Sequence, residues 1–129
     1  MRKLEDVSEP DLRRPAVASG TSLLSLVRHL TEAEVNWFQL RFANVETTEP
    51  DDALDESLPV ADQVRWYQKA TSRNNEVVMS AASLEQRCAQ EAYGDLTLRW
   101  VLVHMIEETA RHAGHADIIR EQLDGQVGR

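Results

Sequence analysis

The chain contains a single cysteine, Cys88, so no internal disulfide can staple it. A lone thiol fits a reducing cytoplasm and is a poor basis for a metal cluster. Cys88 is expected to be inert, because a reactive thiol needs electropositive surroundings that the sequence does not supply. Long apolar runs are missing too: nothing approaches the roughly 18 residues that span a bilayer, so no membrane partner is expected. The first ten residues, "MRKLEDVSEP", lack the apolar core of a signal peptide, and secretion is not expected. Basic residues are in short supply, with 14 Lys and Arg against 22 Asp and Glu and a net charge of −8. With no cationic face to neutralise phosphates, nucleic acid is excluded as a partner.

What remains is ordinary for a soluble globular chain: 42% hydrophobic and 28% charged residues over a length of 129. That length supports one core, and residues 1–129 read as a single domain. The acidity is uneven. From Val45 to Asp62 the chain reads "VETTEPDDALDESLPVAD", with seven acids and no Lys or Arg. The run lacks the spaced ligands and glycine of a calcium loop, so it reads as a solvated connector.

Three helices follow from the periodicity. After "ASGTS", where Thr21 or Ser22 can cap, Leu23, Leu26, Leu30, Ala33, Trp37 and Leu40 recur at steps of three and four. A second helix begins near Val60 to Asp62, with Val64, Tyr67, Val77 and Ala81 on one side. Its middle, "TSRNNE", is a weak helix former. The third is capped by Thr97, carries Leu98, Val101, Leu102, Met105, Ile119 and Leu123 on its apolar face, and stops at Gly125. The one extended piece expected is short, near Ala92 to Leu96. The fold class is all-α, a four-helix bundle whose first helix is short or truncated, because Pro10 and Pro15 interrupt the residues before Leu23. Three and a half helices leave apolar surface uncovered, which predicts a homodimer.

Three of the four histidines lie in "HMIEETARHAGHAD", residues 104–117. Helix geometry separates them. His104 and His115 point the same way within roughly 20° but stand about 16 Å apart along the axis, too far to share an ion. His104 and His112 are about 12 Å apart. Glu108 and His112 are one turn apart on one face, a chelating spacing, and His112 with His115 is a rival pair. Val101, Met105, Glu108, His112, His115 and Ile119 follow at steps of three and four, so Glu108 and His112 replace core residues. A metal ion would compensate their burial, and so would a hydrogen-bonded Glu–His pair. A third ligand must come from another helix, and only His29, flanking the first apolar stripe, remains. Two imidazoles and one carboxylate leave a coordination position open, as in catalytic zinc sites, and also suit nickel or iron. A di-iron bundle is excluded, since Leu26, Val101, Thr109 and His112 occupy the positions three before the histidines. His-Glu-x-x-His is absent as well.

The helices "SLLSLVRHLTEAEVNWF" and "LRWVLVHMIEETARHAGHADIIREQLDG" resemble the DinB/YfiT-like superfamily. They are closest to its actinobacterial branch of uncharacterised domains related to mycothiol-dependent maleylpyruvate isomerase. The resemblance runs from "DLRRPAVASG" to "DGQVG", with "RHAGHAD" its most distinctive block. It implies an up-down-down-up bundle with one divalent metal at one end. The family's ligands fall on His29, Glu108 and His112. Members begin with a longer first helix than this chain offers. The isomerase carries an additional C-terminal domain, so maleylpyruvate isomerisation itself is not expected here.

The resemblance further implies a metal-dependent S-transferase or thiol-dependent enzyme that joins mycothiol or a similar small thiol to an electrophilic substrate. In such a site His115 would orient a ligand or shuttle a proton as the candidate catalytic residue. His104 reads equally as a partly buried helix histidine, and His115 as a hydrogen-bonded neighbour. Arg111 and Arg120 could bind an anionic thiol or substrate, or stand solvated. Two other classes remain: a non-catalytic dimeric bundle that binds a metal or ligand, and a metal-dependent hydrolase.

Overall fold

Helix starts in this chain are set by side chains that satisfy the free N–H groups of a first turn. Ser8 accepts from the Asp11 backbone N–H and opens α1 (Glu9–Arg13). Ser22 and Ser25 exchange hydrogen bonds in a capping box that opens α2 (Leu23–Glu34). Pro59 precedes α3 (Val60–Ser80), and Thr97 accepts from the Trp100 backbone N–H to open α4 (Leu98–Asp124). Gly125, at φ 74°, ends α4 in the left-handed conformation that favours glycine. These elements form an all-α bundle in the computed structural model, which describes residues 2–46, 55 and 57–127. Most of the acidic connector, residues 47–54 and 56, lies outside the described residues.

The short first helix is as expected: α1 has five residues, preceded by a 3-10 turn at Arg2–Leu4. Among the described residues there is no strand. The extended piece expected near Ala92 to Leu96 is instead a 3-10 turn, Glu91–Tyr93, and the one β-bridge pairs Arg87 with Thr97.

Two of the apolar stripes need correction. α2 does not stop at Glu34 but runs on as a π-helix, Val35–Phe42, in which the Ala43 N–H reaches the Phe38 carbonyl five residues back. The wider turn advances the buried face by one residue. Core positions pass from Ala33 to Phe38 and Phe42, while Trp37 and Leu40 become only half-buried. On α3 the buried positions are Gln63, Ala70, Asn74 and Val77, and Val64, Tyr67 and Ala81 are half-buried. Asn74, from the weak "TSRNNE" stretch, is held by a polar network. Its amide donates to the Glu34 carbonyl (3.0 Å) and to Glu34 Oε2 (2.7 Å), and its oxygen accepts from Gln39 Nε2 (3.0 Å). Asn74 thus meets the backbone where α2 changes to π winding.

α2 packs against both α3 and α4, and the packing forms two separate hydrophobic clusters. One gathers Ala33, Phe38, Phe42, Val77, Cys88, Leu98, Val101 and Met105. The other gathers Leu12, Leu23, Leu24, Leu26, Ala116 and Ile119. Between them α2 presents His29, and α4 presents Glu108 and His112. The fold therefore leaves a polar gap where the groove between α2 and α4 passes from one cluster to the other.

Candidate metal centre

Each side chain of the gap is placed by a helix that is anchored on both sides of it. α4 is buried at Met105 and again at Ala116 and Ile119, so residues 108 and 112 must face α2. α2 is buried at Leu26, Val27 and Ala33, which brings His29 to the rim. Glu108 Oε2 lies 3.2 Å from His112 Nε2 and 3.5 Å from His29 Nε2. One ligand atom from each of the three residues lies within 4.8 Å of the other two. Bonds of roughly 2.0–2.1 Å around a tetrahedral ion would set such atoms about 3.4 Å apart, close to both measured separations. The side chains of Glu108 and His112 are 13% exposed and that of His29 is 49% exposed. A small ion held here would be embedded on one side and reachable on the other.

The electrostatics suit a cation. Burial alone would raise the Glu108 carboxyl, but the Arg111 guanidinium and the hydrogen bonds with His29 and His112 outweigh it. The group is held below the ordinary carboxylate range. Burial, with the neighbouring His29, pushes His112 below its ordinary value despite the pull of Glu108. An ionised carboxylate and a neutral imidazole are the protonation states that metal ligation requires. His112 Nδ1 is buried without a hydrogen-bond partner.

The remaining sequence candidates separate clearly. His115 is exposed, and its ring stands edge-on to that of His112, with centroids 5.4 Å apart. It lines the same cleft as His29 and His112, a space of about 770 Å³ that also takes in Arg13, Ser25 and Arg28. His104 is half-buried but outside the trio, stacked on Trp100 at 4.9 Å and tilted against Trp37 at 4.6 Å. Arg111 bonds Glu108 Oε1 at 2.5 Å. Arg120 does not reach the cleft. It is buried, donating to the Lys3 and Glu5 carbonyls and to Asp124, which removes it from any anion-binding role. Cys88 is buried in a hydrophobic cluster and burial pushes its thiol up, in line with an inert group.

The sequence reading missed two features. One is the polar lining of the cleft by Arg13 and Arg28, for which no periodic signal exists. The other is the aromatic set around His104, which the i, i+4 pairs Trp37–Arg41 and Trp100–His104 could have signalled.

A family model described as mycothiol-S-transferase matches residues 1–125. No curated protein and no solved structure matches significantly. With the all-α bundle and the resemblance of its two histidine-bearing helices, the match is decisive: the chain belongs to the mycothiol-S-transferase family, a DinB-like family.

Proposed function

We propose that this protein is a metal-dependent thiol S-transferase that uses mycothiol or a similar small thiol and holds one divalent ion, zinc by preference, on His29, Glu108 and His112. The observation that carries the reading is the convergence of those three ligand atoms at the edge of a large cleft, in a chain of this family. Nickel and ferrous iron suit the same donor set.

When bound, a divalent ion at this position supplies the Lewis acidity that favours thiolate over thiol. The chain's residues do the rest. Thr21, Ser25 and Arg28 line the cleft and give it the polar surface that a hydroxyl-rich thiol would meet. His115, exposed in the cleft beside His112, is the proton acceptor. A carbon–sulfur bond forms as the bond from that carbon to its leaving group breaks. The leaving group departs with the electron pair, and the thiol proton passes to His115 and then to water.

We read residues 1–129 as one domain acting as a homodimer in the cytoplasm. Val103, Ile106 and Ile118 are exposed on α4 and support the dimer; the lone buried thiol supports a reducing compartment. The test is metal content followed by assays of the metal-loaded protein. Conjugation of a small thiol with an electrophile is the expected activity. Ester or amide hydrolysis without conjugation would replace the transferase with a hydrolase. Stoichiometric metal with neither activity would leave a binding module.

A further inference from the structure

The groove between α2 and α4 does not end at the metal ligands. Beyond them, toward the C-terminal end of α2 and the N-terminal end of α4, lies a second depression of about 280 Å³. His29 and Glu108 form one wall, Glu32, Ala33 and Asn36 the α2 side, and Trp37, Arg41 and His104 the far end. His29 is shared with the large cleft, whereas Glu108 and His104 face this depression and His112 and His115 face the other. The two spaces meet at the trio. A reaction that joins two molecules needs two such spaces opening on one point.

The lining of the second space differs from that of the first. Trp37 and His104 lie 4.6 Å apart by centroid, with Trp100 stacked behind His104 and Tyr93 edge-on to Trp37 at 5.9 Å. Arg41 lies with its guanidinium carbon 4.1 Å above the Trp37 ring and 4.7 Å from the Tyr93 centroid. No carboxylate among the described residues pairs with it. A guanidinium stacked on aromatic faces keeps its N–H groups in its own plane, free to grip a carboxylate at the edge. The π winding of α2 sets Trp37 at the margin of the core, half-buried, where it also lines this groove.

We propose that the depression lined by Trp37, Arg41 and His104 is the subsite for the electrophile, and that it takes a flat aromatic molecule bearing a carboxylate. The ring stacks on Trp37 and His104, and Arg41 holds the carboxylate. The reactive carbon then faces the trio, opposite the thiol in the large cleft. The proposal rests on the transferase reading for the word electrophile, but the binding it requires does not depend on turnover or on metal.

The test is therefore equilibrium binding to the metal-free protein, followed by tryptophan fluorescence and by ligand-observed NMR. The probes are 1-naphthoate and its neutral analogue 1-naphthamide. Naphthoate is expected to bind, and naphthamide roughly tenfold more weakly, because it lacks the charged partner of Arg41. Arg41→Gln should weaken naphthoate roughly tenfold and leave naphthamide unchanged. Trp37→Leu should weaken both. Equal affinity for the two probes in the unaltered protein overturns the proposal without reference to any variant, as does naphthoate binding that Arg41→Gln leaves intact. If naphthoate binds as described yet no thiol conjugation is found, the transferase reading falls and the aromatic carboxylate subsite stands.

Discussion

Glu108 Oε2 stands 3.2 Å from His112 Nε2, one helical turn along α4, in the gap between two hydrophobic clusters. An ion bound there would stabilise the fold by mass action, about 2.7 kcal/mol at a hundredfold excess over its dissociation constant. His112→Ala and His29→Ala should each abolish stoichiometric binding of zinc, measured by elemental analysis. Each should also lack the zinc-dependent rise in melting temperature expected of the unaltered protein. Unchanged metal content in His112→Ala would mean that the ion sits elsewhere.

Glu34 gives the fold a pH dependence separate from the metal centre. Burial raises its carboxyl, and the hydrogen bond from Asn74 only partly offsets this. A raised folded pKa means that the protonated form is the one the fold favours. The associated stability is present in full below the unfolded pKa and is lost as pH rises through the folded one. Glu34→Gln, which keeps an oxygen for Asn74, should therefore be more stable than the unaltered protein at pH 7. The advantage should shrink as pH falls through the raised folded pKa and be gone by the ordinary carboxylate range. Urea midpoints taken from pH 4 to pH 8 would show it, and a constant gap across that range would refute it.

Arg120 fastens the N-terminal turn to α4 through two backbone carbonyls and Asp124. Its removal leaves those groups without a buried donor. Arg120→Ala should cost on the order of 2–4 kcal/mol in urea unfolding. Amide exchange at Lys3 to Glu5 should accelerate. Arg120→Lys should rescue little, since an ammonium cannot reproduce the fork of three donors. Full rescue by lysine would reduce the clamp to simple charge.

Cys88 should react slowly with a thiol reagent in the native protein and rapidly once unfolded, because burial both hides it and raises its pKa. A native rate within a fewfold of the unfolded rate would contradict its place in the core.

If the exposed residues of α4 form the dimer face, Ile106→Asp should shift the protein from dimer to monomer at micromolar concentration without loss of helicity. Sedimentation velocity decides the matter. A monomer in both forms would remove dimerisation from the functional reading.

The histidine helix was legible in the sequence because one rule, the rise and twist of an α-helix, sorts its polar groups before any fold is known. Thr97, Gly125 and the stripe through Val101 and Met105 were legible for the same reason. Trp37 and Leu40 were assigned to the core by extending that rule past Glu34, where the backbone abandons it for π winding. Nothing in local composition marks that change. Its support comes from Asn74 and Gln39, two polar residues that a hydrophobic pattern assigns to the surface. Arg120 escaped for a related reason: its partners are backbone carbonyls more than a hundred positions away, which no periodicity encodes.

The π segment of α2 also sets how this chain can tolerate change in its length. Deleting Phe38, Gln39 or Leu40 would let the helix rewind to ordinary α pitch and bring Trp37 to the core position now held by Phe38. The protein could still fold around a tryptophan there, yet the groove beside the trio would lose its aromatic wall. Shortening by a single codon would thus act on the binding surface as a substitution of Trp37 does, with every side chain of that surface still encoded.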